Sequence, residues 1–150
     1  MIRAFKKEEN KKIFNFIKEI NDDNFIETGR PPRYEDLENI SETYGGKRDS
    51  FFVYEEGRDI VGTAALKEED SKVALLRRVF VLQKHRQKGY GLRLINRVFE
   101  FAREKGYQKI IFRCTNQMTA ALHLIIKKGF EQKEEVDFGK YKVLIMEKKL

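Results

Sequence analysis

The chain has 150 residues, of which 41% are hydrophobic and 37% are charged, and its net charge is +7 at pH 7. This length predicts a single domain, residues 1–150, with a sizeable core, and the hydrophobic share excludes an intrinsically disordered chain. The sequence has no run of about 18 apolar residues, so we expect no membrane-spanning segment.

The positive charge is spread along the chain, because Lys and Arg alternate with Glu and Asp over most of its length. This pattern is typical of a solvated surface, so we expect one local anion site and no nucleic-acid interface. Cys114 is the only cysteine and cannot form an intramolecular disulfide. Residues 1–12 lack the apolar segment of a signal peptide. Together these features predict a reducing, cytoplasmic location.

The first third of the chain predicts a short strand followed by two helices. In the first helix, apolar residues recur at helical spacing, and we expect the Asn and Asp residues at 21–24 to end it. Pro31 and Pro32 mark a connector, and Gly45 with Gly46 ends the second helix. The predicted bounds are Met1–Phe5, Lys7–Ile20 and Tyr34–Tyr44.

Three strands joined by short turns follow, which predicts an antiparallel meander. Their predicted bounds are Ser50–Tyr54, Asp59–Leu66 and Lys72–Val81. After them come a long helix, a strand, a shorter helix and a final hairpin. The long helix connects the strand before it to the strand after it as a crossover. We therefore expect these two strands to pair in parallel. The predicted bounds are Gly89–Gly106, Gln108–Cys114, Thr119–Lys128, Glu131–Val136 and Lys140–Met146.

The segment Arg86–Gly91 lies between a predicted strand and the long helix. Its two glycines allow the backbone to approach a ligand closely. The helix that follows has unpaired N–H groups and the positive end of its dipole at its N-terminus. This combination suits a phosphate or diphosphate group. A glycine turn into a surface helix is the alternative interpretation of so short a motif.

The order of elements and two motifs resemble the GNAT N-acetyltransferase superfamily. Residues Leu75–Gly91 resemble its strand-and-loop motif, and Arg86-x-x-Gly89-x-Gly91 matches its R/Q-x-x-G-x-G/A signature in spacing. Lys127–Phe130, which reads Lys-Lys-Gly-Phe, resembles the end of its second coenzyme-contacting helix. A dinucleotide site would need a third glycine, and a P-loop would end in Gly-Lys-Ser/Thr.

The resemblance implies an α/β (α+β) fold with a mixed, mostly antiparallel sheet of about seven strands, a central splay and about four helices. It implies that acetyl-CoA is the co-substrate, that no metal takes part, and that the Val79 N–H faces the thioester carbonyl as an oxyanion donor. The coenzyme-binding residues it assigns are Val79, Phe80, Val81, Arg86, Gln87, Lys88, Gly89, Tyr90, Gly91, Leu92 and Lys128.

The resemblance further implies transfer of acetyl to a primary amine of a small molecule or peptide. It places the acceptor near Glu27, Tyr34 and Tyr44. Many relatives use a Tyr where Ile125 stands here, and a Glu on the strand that here carries Arg77 and Arg78, so the general acid and base stay unassigned. A non-catalytic acyl-CoA-binding sensor is therefore the alternative.

Two further expectations concern the surface of the protein. Homodimers are common in the family, although no feature of this sequence fixes one. We expect His85 to be solvated and His123 to have a surface or packing role, and we expect Cys114 to act as a small apolar residue.

Overall fold

The structure is a computed structural model. It describes the backbone of residues 1–28 and 33–150 and the side chains of residues 1–21 and 33–150. Seven strands form one mixed sheet. The strands are β1 (Ile2–Ala4), β2 (Ser50–Glu56), β3 (Asp59–Glu68), β4 (Val73–Val81), β5 (Lys109–Thr115), β6 (Glu131–Asp137) and β7 (Lys142–Lys149). The helices are α1 (Asn10–Thr28), α2 (Glu35–Glu38), α3 (Ile40–Thr43), α4 (Tyr90–Glu104) and α5 (Thr119–Lys127).

The strand order is β1-β2-β3-β4-β5-β7-β6. The predicted meander of β2, β3 and β4 is confirmed, as is the parallel pairing of β4 with β5 that the α4 crossover requires. Every other neighbouring pair is antiparallel. The closing hairpin is also confirmed, but β7 is inserted between β5 and β6, so β6 is an edge strand.

The two faces of the sheet carry separate cores. The larger core lies under α4 and α5 and includes Leu94, Ile95 and Val98 of α4. The smaller core lies under α1, α2 and α3 and includes Ile13 and Ile17 of α1. Because side chains alternate along β3, Ala64 and Leu66 belong to the larger core and Ala65 to the smaller one. Membership in a core therefore identifies the face of each strand residue.

Helix α1 differs from its predicted bounds at both ends. It is preceded by a 3-10 turn at Lys7–Glu9, where the Glu9 carboxylate accepts the Lys6 N–H and pairs with Arg3. The helix then continues through the Asn and Asp residues that were expected to end it, as far as Thr28. Extending an existing helix by one residue costs little, so local side-chain competition does not end it.

The predicted helix Tyr34–Tyr44 is interrupted at Asn39, which gives five α-helices in the described residues instead of about four. Asn39 has an extended conformation, and its side chain accepts the Glu42 N–H to cap α3. Asn10 of α1 stabilises the break from the other side: its Oδ1 accepts the Ile40 N–H at 2.7 Å. A local pattern cannot reveal a contact that spans 30 residues.

Within the described residues, no helix is both long enough and apolar enough to cross a membrane.

Candidate active site

The sheet opens between its two central strands. Strands β4 and β5 are paired only from Val73–Lys109 to Leu75–Ile111. Beyond this point β4 continues to Val81 and β5 to Thr115, with no register partners between them. The implied central splay is therefore confirmed, and the backbone of Leu76–Val81 borders the opening instead of another strand.

A β-bulge deforms β4 within this opening. On β3, Thr63 pairs with Phe80 and Ala65 pairs with Arg77, so Arg78 and Val79 both lie opposite Ala64. Arg78 has a φ of 54°, a left-handed conformation that non-glycine residues rarely adopt. The Thr63 hydroxyl donates to the Arg78 carbonyl at 2.7 Å and stabilises the bulge. Val79 consequently has no register partner on β3 or β5.

Arg78 forms a buried ion pair that the sequence did not suggest. Its Nε donates to Asp36 Oδ2 at 3.0 Å and its Nη2 to Asp36 Oδ1 at 2.5 Å. The Tyr44 hydroxyl donates to Asp36 Oδ2 at 2.6 Å. Burial acts to raise the pKa of Asp36, but the hydrogen bonds from Arg78 and Tyr44 outweigh it and hold the pKa below 3.8. Asp36 is therefore ionised at neutral pH and ties α2 to the bulge.

The loop after β4 presents backbone donors to the same opening. Gln87 and Gly89 both have left-handed conformations, with φ of 65° and 83°, and Gly89 is the N-cap of α4. The first helical hydrogen bond runs from the Arg93 N–H to the Gly89 carbonyl at 3.0 Å. The N–H groups of Tyr90, Gly91 and Leu92 thus precede the first intrahelical donor and form a potential anion site.

Tyr90 anchors this loop to the neighbouring hairpin. Its ring stacks on Tyr54 with centroids 4.0 Å apart, and its hydroxyl donates to Glu56, which raises the pKa of Tyr90. His85 Nδ1 lies 3.4 Å from the same Glu56 carboxylate. The expectation that His85 is solvated is wrong: its side chain is 15% exposed, because this hairpin covers it. His123 is exposed, as expected.

Gly91 allows α4 and α5 to pack closely. A Cβ at Gly91 would lie 2.8 Å from Leu124 Cδ2 and 3.6 Å from Val81 Cγ2. In contrast, a Cβ at Gly89 would meet no atom within 4 Å, so only its backbone conformation requires glycine. The two glycines of the motif therefore serve different physical purposes, which their spacing did not reveal.

The remaining coenzyme-binding candidates lie around the loop. The side chains of Arg86, Gln87 and Lys88 are exposed. Arg86 Nε donates to the Val81 carbonyl at 3.1 Å, which fixes the loop against the end of β4. Lys128 is half-buried, with its Nζ 5.9 Å from the centre of the Phe99 ring. Their assignment to coenzyme A stays a prediction.

The acceptor-binding candidates occupy different environments. Tyr34 is half-buried and its ring lies 5.5 Å from that of Phe14. Tyr44 is 3% exposed and its hydroxyl is bonded to Asp36, so its described contacts are those of a supporting residue. Glu27 lies outside the residues whose side chains the structure describes. Asp36 and Thr63 were not among the candidates, because only the folded chain brings them to the bulge.

Ile125 is fully buried in the larger core, and so is Cys114, which packs there as the small apolar residue expected. At the end of β5, the Thr115 hydroxyl is buried without a hydrogen-bond partner among the described groups. The described residues contain no cluster of three or more His, Cys, Asp or Glu side chains that could hold a metal ion.

Three comparisons relate this geometry to known proteins. A family model described as the acetyltransferase (GNAT) family matches residues 14–130. N-acetyltransferase 8F1 from Rattus norvegicus is 31% identical over 102 residues, which are 65% of this chain and 46% of the rat protein. The chain thus spans just under half the length of this curated relative.

Solved structures share the complete fold. A GNAT-family acetyltransferase from Staphylococcus aureus Mu50 has a TM-score of 0.88 at 22% identity, covering 100% of this chain and 98% of the other. A putative acetyltransferase from Salmonella typhimurium, solved with its cofactor acetyl-CoA, has a TM-score of 0.79 at 22% identity, covering 100% and 93%. At these identities the likeness establishes the fold.

Proposed function

The chain belongs to the GNAT acetyltransferase family, and we propose on that premise that it transfers an acetyl group from acetyl-CoA to a primary amine. The observation that carries the proposal is the opening between β4 and β5, which ends at the glycine-capped N-terminus of α4. A free strand edge and an anion site are thus adjacent, as a ligand with an amide-containing arm and a diphosphate would require.

The residues present fit acetyl-CoA. The N–H groups of Tyr90, Gly91 and Leu92 would bind the diphosphate, aided by the exposed cations Arg86 and Lys88. The strand edge from Leu76 to Val81 would pair with the amide groups of the pantetheine arm. No side chain at Gly89 fills the space beside the N-cap.

The bulge would serve the chemical step. Acetyl-CoA supplies an activated acyl carbon; attack by a neutral amine forms the C–N bond and breaks the C–S bond. The Val79 N–H, which has no register partner, would stabilise the negative charge that develops on the thioester oxygen. The amine loses its proton to solvent, and the departing thiolate takes a proton from solvent. No side chain need relay either proton.

A second candidate function is a non-catalytic acyl-CoA sensor. The observation that favours it is the complete burial of Ile125, which leaves a hydrocarbon side chain where many relatives have a tyrosine hydroxyl. Binding without transfer would then be the whole activity. The two functions share the coenzyme site and differ only in whether an acceptor reacts.

Calorimetric titration with acetyl-CoA tests the shared premise, and thiol release in the presence of an amine panel separates the two functions. We expect saturable binding, with thiol release that depends on both acetyl-CoA and an amine. Absence of binding at millimolar acetyl-CoA would refute both candidates. Binding without thiol release for any amine would favour the sensor.

A further inference from the structure

Arg77 is an arginine of β4 that has no ion-pair or hydrogen-bond partner in the part of the chain that the structure describes. It is half-buried, and among the described residues no carboxylate or carbonyl lies within ion-pair or hydrogen-bond distance of its guanidinium. A half-buried charge without a protein partner costs free energy unless water or a ligand compensates it. Arg78, the next residue, is by contrast fully engaged with Asp36. The Arg77 guanidinium, beside the bulge, is therefore available to bind an anionic group.

The face of the sheet that carries Arg77 follows from its pairing. Arg77 lies opposite Ala65, and Ala65 belongs to the core under α1, α2 and α3. The Arg77 side chain therefore projects on that face, one residue before the bulge. Arg77 also lies in the part of β4 that has no register partner on β5, so it borders the opening.

A second arginine faces the same way across the opening. On β5, Phe112 and Cys114 belong to the larger core, so Arg113 between them projects on the same face as Arg77. Arg113 is exposed and also lacks a partner among the described residues. Extending the β4–β5 register past Leu75–Ile111 would set Arg77 against Arg113. The splay thus separates two arginines and leaves a positively charged entrance.

The carboxylate on which the charge of Arg77 acts, Asp36, is already engaged. Both oxygens of Asp36 are bonded to Arg78, and one also accepts the Tyr44 hydroxyl. Arg77 already acts on Asp36 at a distance: after burial and the hydrogen bonds from Arg78 and Tyr44, its charge contributes to the low pKa of Asp36. Among the described residues no free carboxylate remains for Arg77, which makes a bound anion a suitable counter-charge.

We propose that Arg77 recognises a carboxylate on the acceptor, so that the preferred substrates are amines with a carboxylate close to the reacting nitrogen, as in free α-amino acids. This inference rests on the proposed acetyl transfer and specifies its substrate class. The planar guanidinium donates two parallel hydrogen bonds to a carboxylate, which fixes the position of the attached amine.

The same charge explains which acceptors are excluded. A polyamine or a simple alkylamine brings only positive charge to an entrance that already holds Arg77 and Arg113, with a net charge of +7 on the chain. A carboxylate on the acceptor cancels part of this positive charge, so an amino acid enters more readily than a simple amine.

A matched substrate series tests the proposal in the intact protein. The twenty protein amino acids are offered with acetyl-CoA, and N-acetyl products are detected by mass spectrometry. The best substrate is then compared with its α-amide and with the amine that lacks the carboxyl group. The amide has the less basic nitrogen and hence more neutral amine at pH 7, so without carboxylate recognition it would react faster. We expect the free acid to be preferred by about tenfold or more in kcat/KM.

Variants at position 77 assign the preference to this side chain. Arg77→Gln should raise KM for the free acid about tenfold, change kcat little, and leave kcat/KM for the amide unchanged. Arg77→Lys keeps the charge but loses the planar fork and should restore part of the preference. Arg58→Gln, at an exposed turn, is the control and should behave like the natural protein. Thermal melting of each variant verifies the fold.

The outcomes are distinct. Efficient acetylation of amides and simple amines, with free acids disfavoured or with Arg77→Gln unchanged, overturns the proposal but leaves acetyl transfer intact. Failure to bind acetyl-CoA, or failure to acetylate any amine, overturns the proposed transfer and this inference with it. A preference for free acids that disappears in Arg77→Gln and returns partly in Arg77→Lys supports it.

Discussion

At the residue scale, the bulge of β4 is held by a contact between distant parts of the chain. The sequence showed that Arg77 and Arg78 stand where many relatives have a glutamate. It could not show that Asp36, 42 residues earlier, would engage Arg78 and leave Arg77 without a partner among the residues that the structure describes. Adjacent residues of one strand normally project to opposite faces, and only the bulge places both arginines toward α2. The positions of these two arginine side chains therefore depend on a long-range contact that forms only on folding.

This arrangement predicts that Asp36→Asn is destabilising. The substitution leaves Arg78 buried, at 13% side-chain exposure, without its counter-charge. The cost at pH 7 should be about 3 kcal/mol in the free energy of unfolding, at the lower end for a broken buried pair. Urea unfolding measures it. Asp59→Asn, at an exposed position, is the control and should cost less than about 0.5 kcal/mol.

The same substitution has a defined pH dependence. Because the pKa of Asp36 is lowered in the folded protein from 3.8, its contribution to stability is present above pH 3.8 and is lost as the pH falls through the lower folded value. The difference between the natural protein and Asp36→Asn should therefore be constant from pH 7 to pH 5 and shrink below pH 4. A difference that grows on acidification would contradict the assigned ionisation.

At the element scale, helices and strands were predicted well where a pattern is local. All seven strands exist within three residues of their predicted bounds, and α4 and α5 lie where apolar spacing and glycines place them. The failures concern α1 and the segment 34–44, whose ends depend on Asn10, Asn39 and the cost of extending a helix. Such contacts cross between elements and leave no periodic signal.

The packing of α4 on α5 yields a prediction for the glycine motif. Gly91→Ala forces Leu124 to change rotamer, which should cost about 1 kcal/mol, the lower end for overpacking. Leu124→Ala removes the clash, so the double variant should be more stable than the sum of the single effects by about 1 kcal/mol. Urea unfolding of the four proteins gives this coupling energy directly.

Gly89→Ala is the matched control for that cycle. Its cost, about 1–2 kcal/mol, comes from the left-handed backbone alone, because the added Cβ meets nothing within 4 Å. Its effect should therefore be additive with that of Leu124→Ala. If the coupling energy between Gly89→Ala and Leu124→Ala were as large as that between Gly91→Ala and Leu124→Ala, the contact of Gly91 with α5 would not be the reason for glycine at position 91.

At the scale of the whole molecule, the sheet consists of two halves joined by a short parallel contact. Strands β1 to β4 form one half and β5, β7 and β6 the other, with register partners only from Val73–Lys109 to Leu75–Ile111. Periodicity predicted the strands and the helical crossover predicted the parallel pair, but neither predicted the insertion of β7 or the splay. Both depend on long-range pairing, and the splay was anticipated only through the resemblance to a family.

The central claim, that acetyl-CoA binds in this opening, is tested most directly by backbone amide NMR shifts during titration with acetyl-CoA. We expect the largest saturable shift changes at the amides of residues 79–81 and 87–92. The shift changes at Val73 and Lys109, where β4 and β5 remain paired, should be much smaller. Shift changes confined to other surfaces, or none at millimolar acetyl-CoA, would contradict the claim.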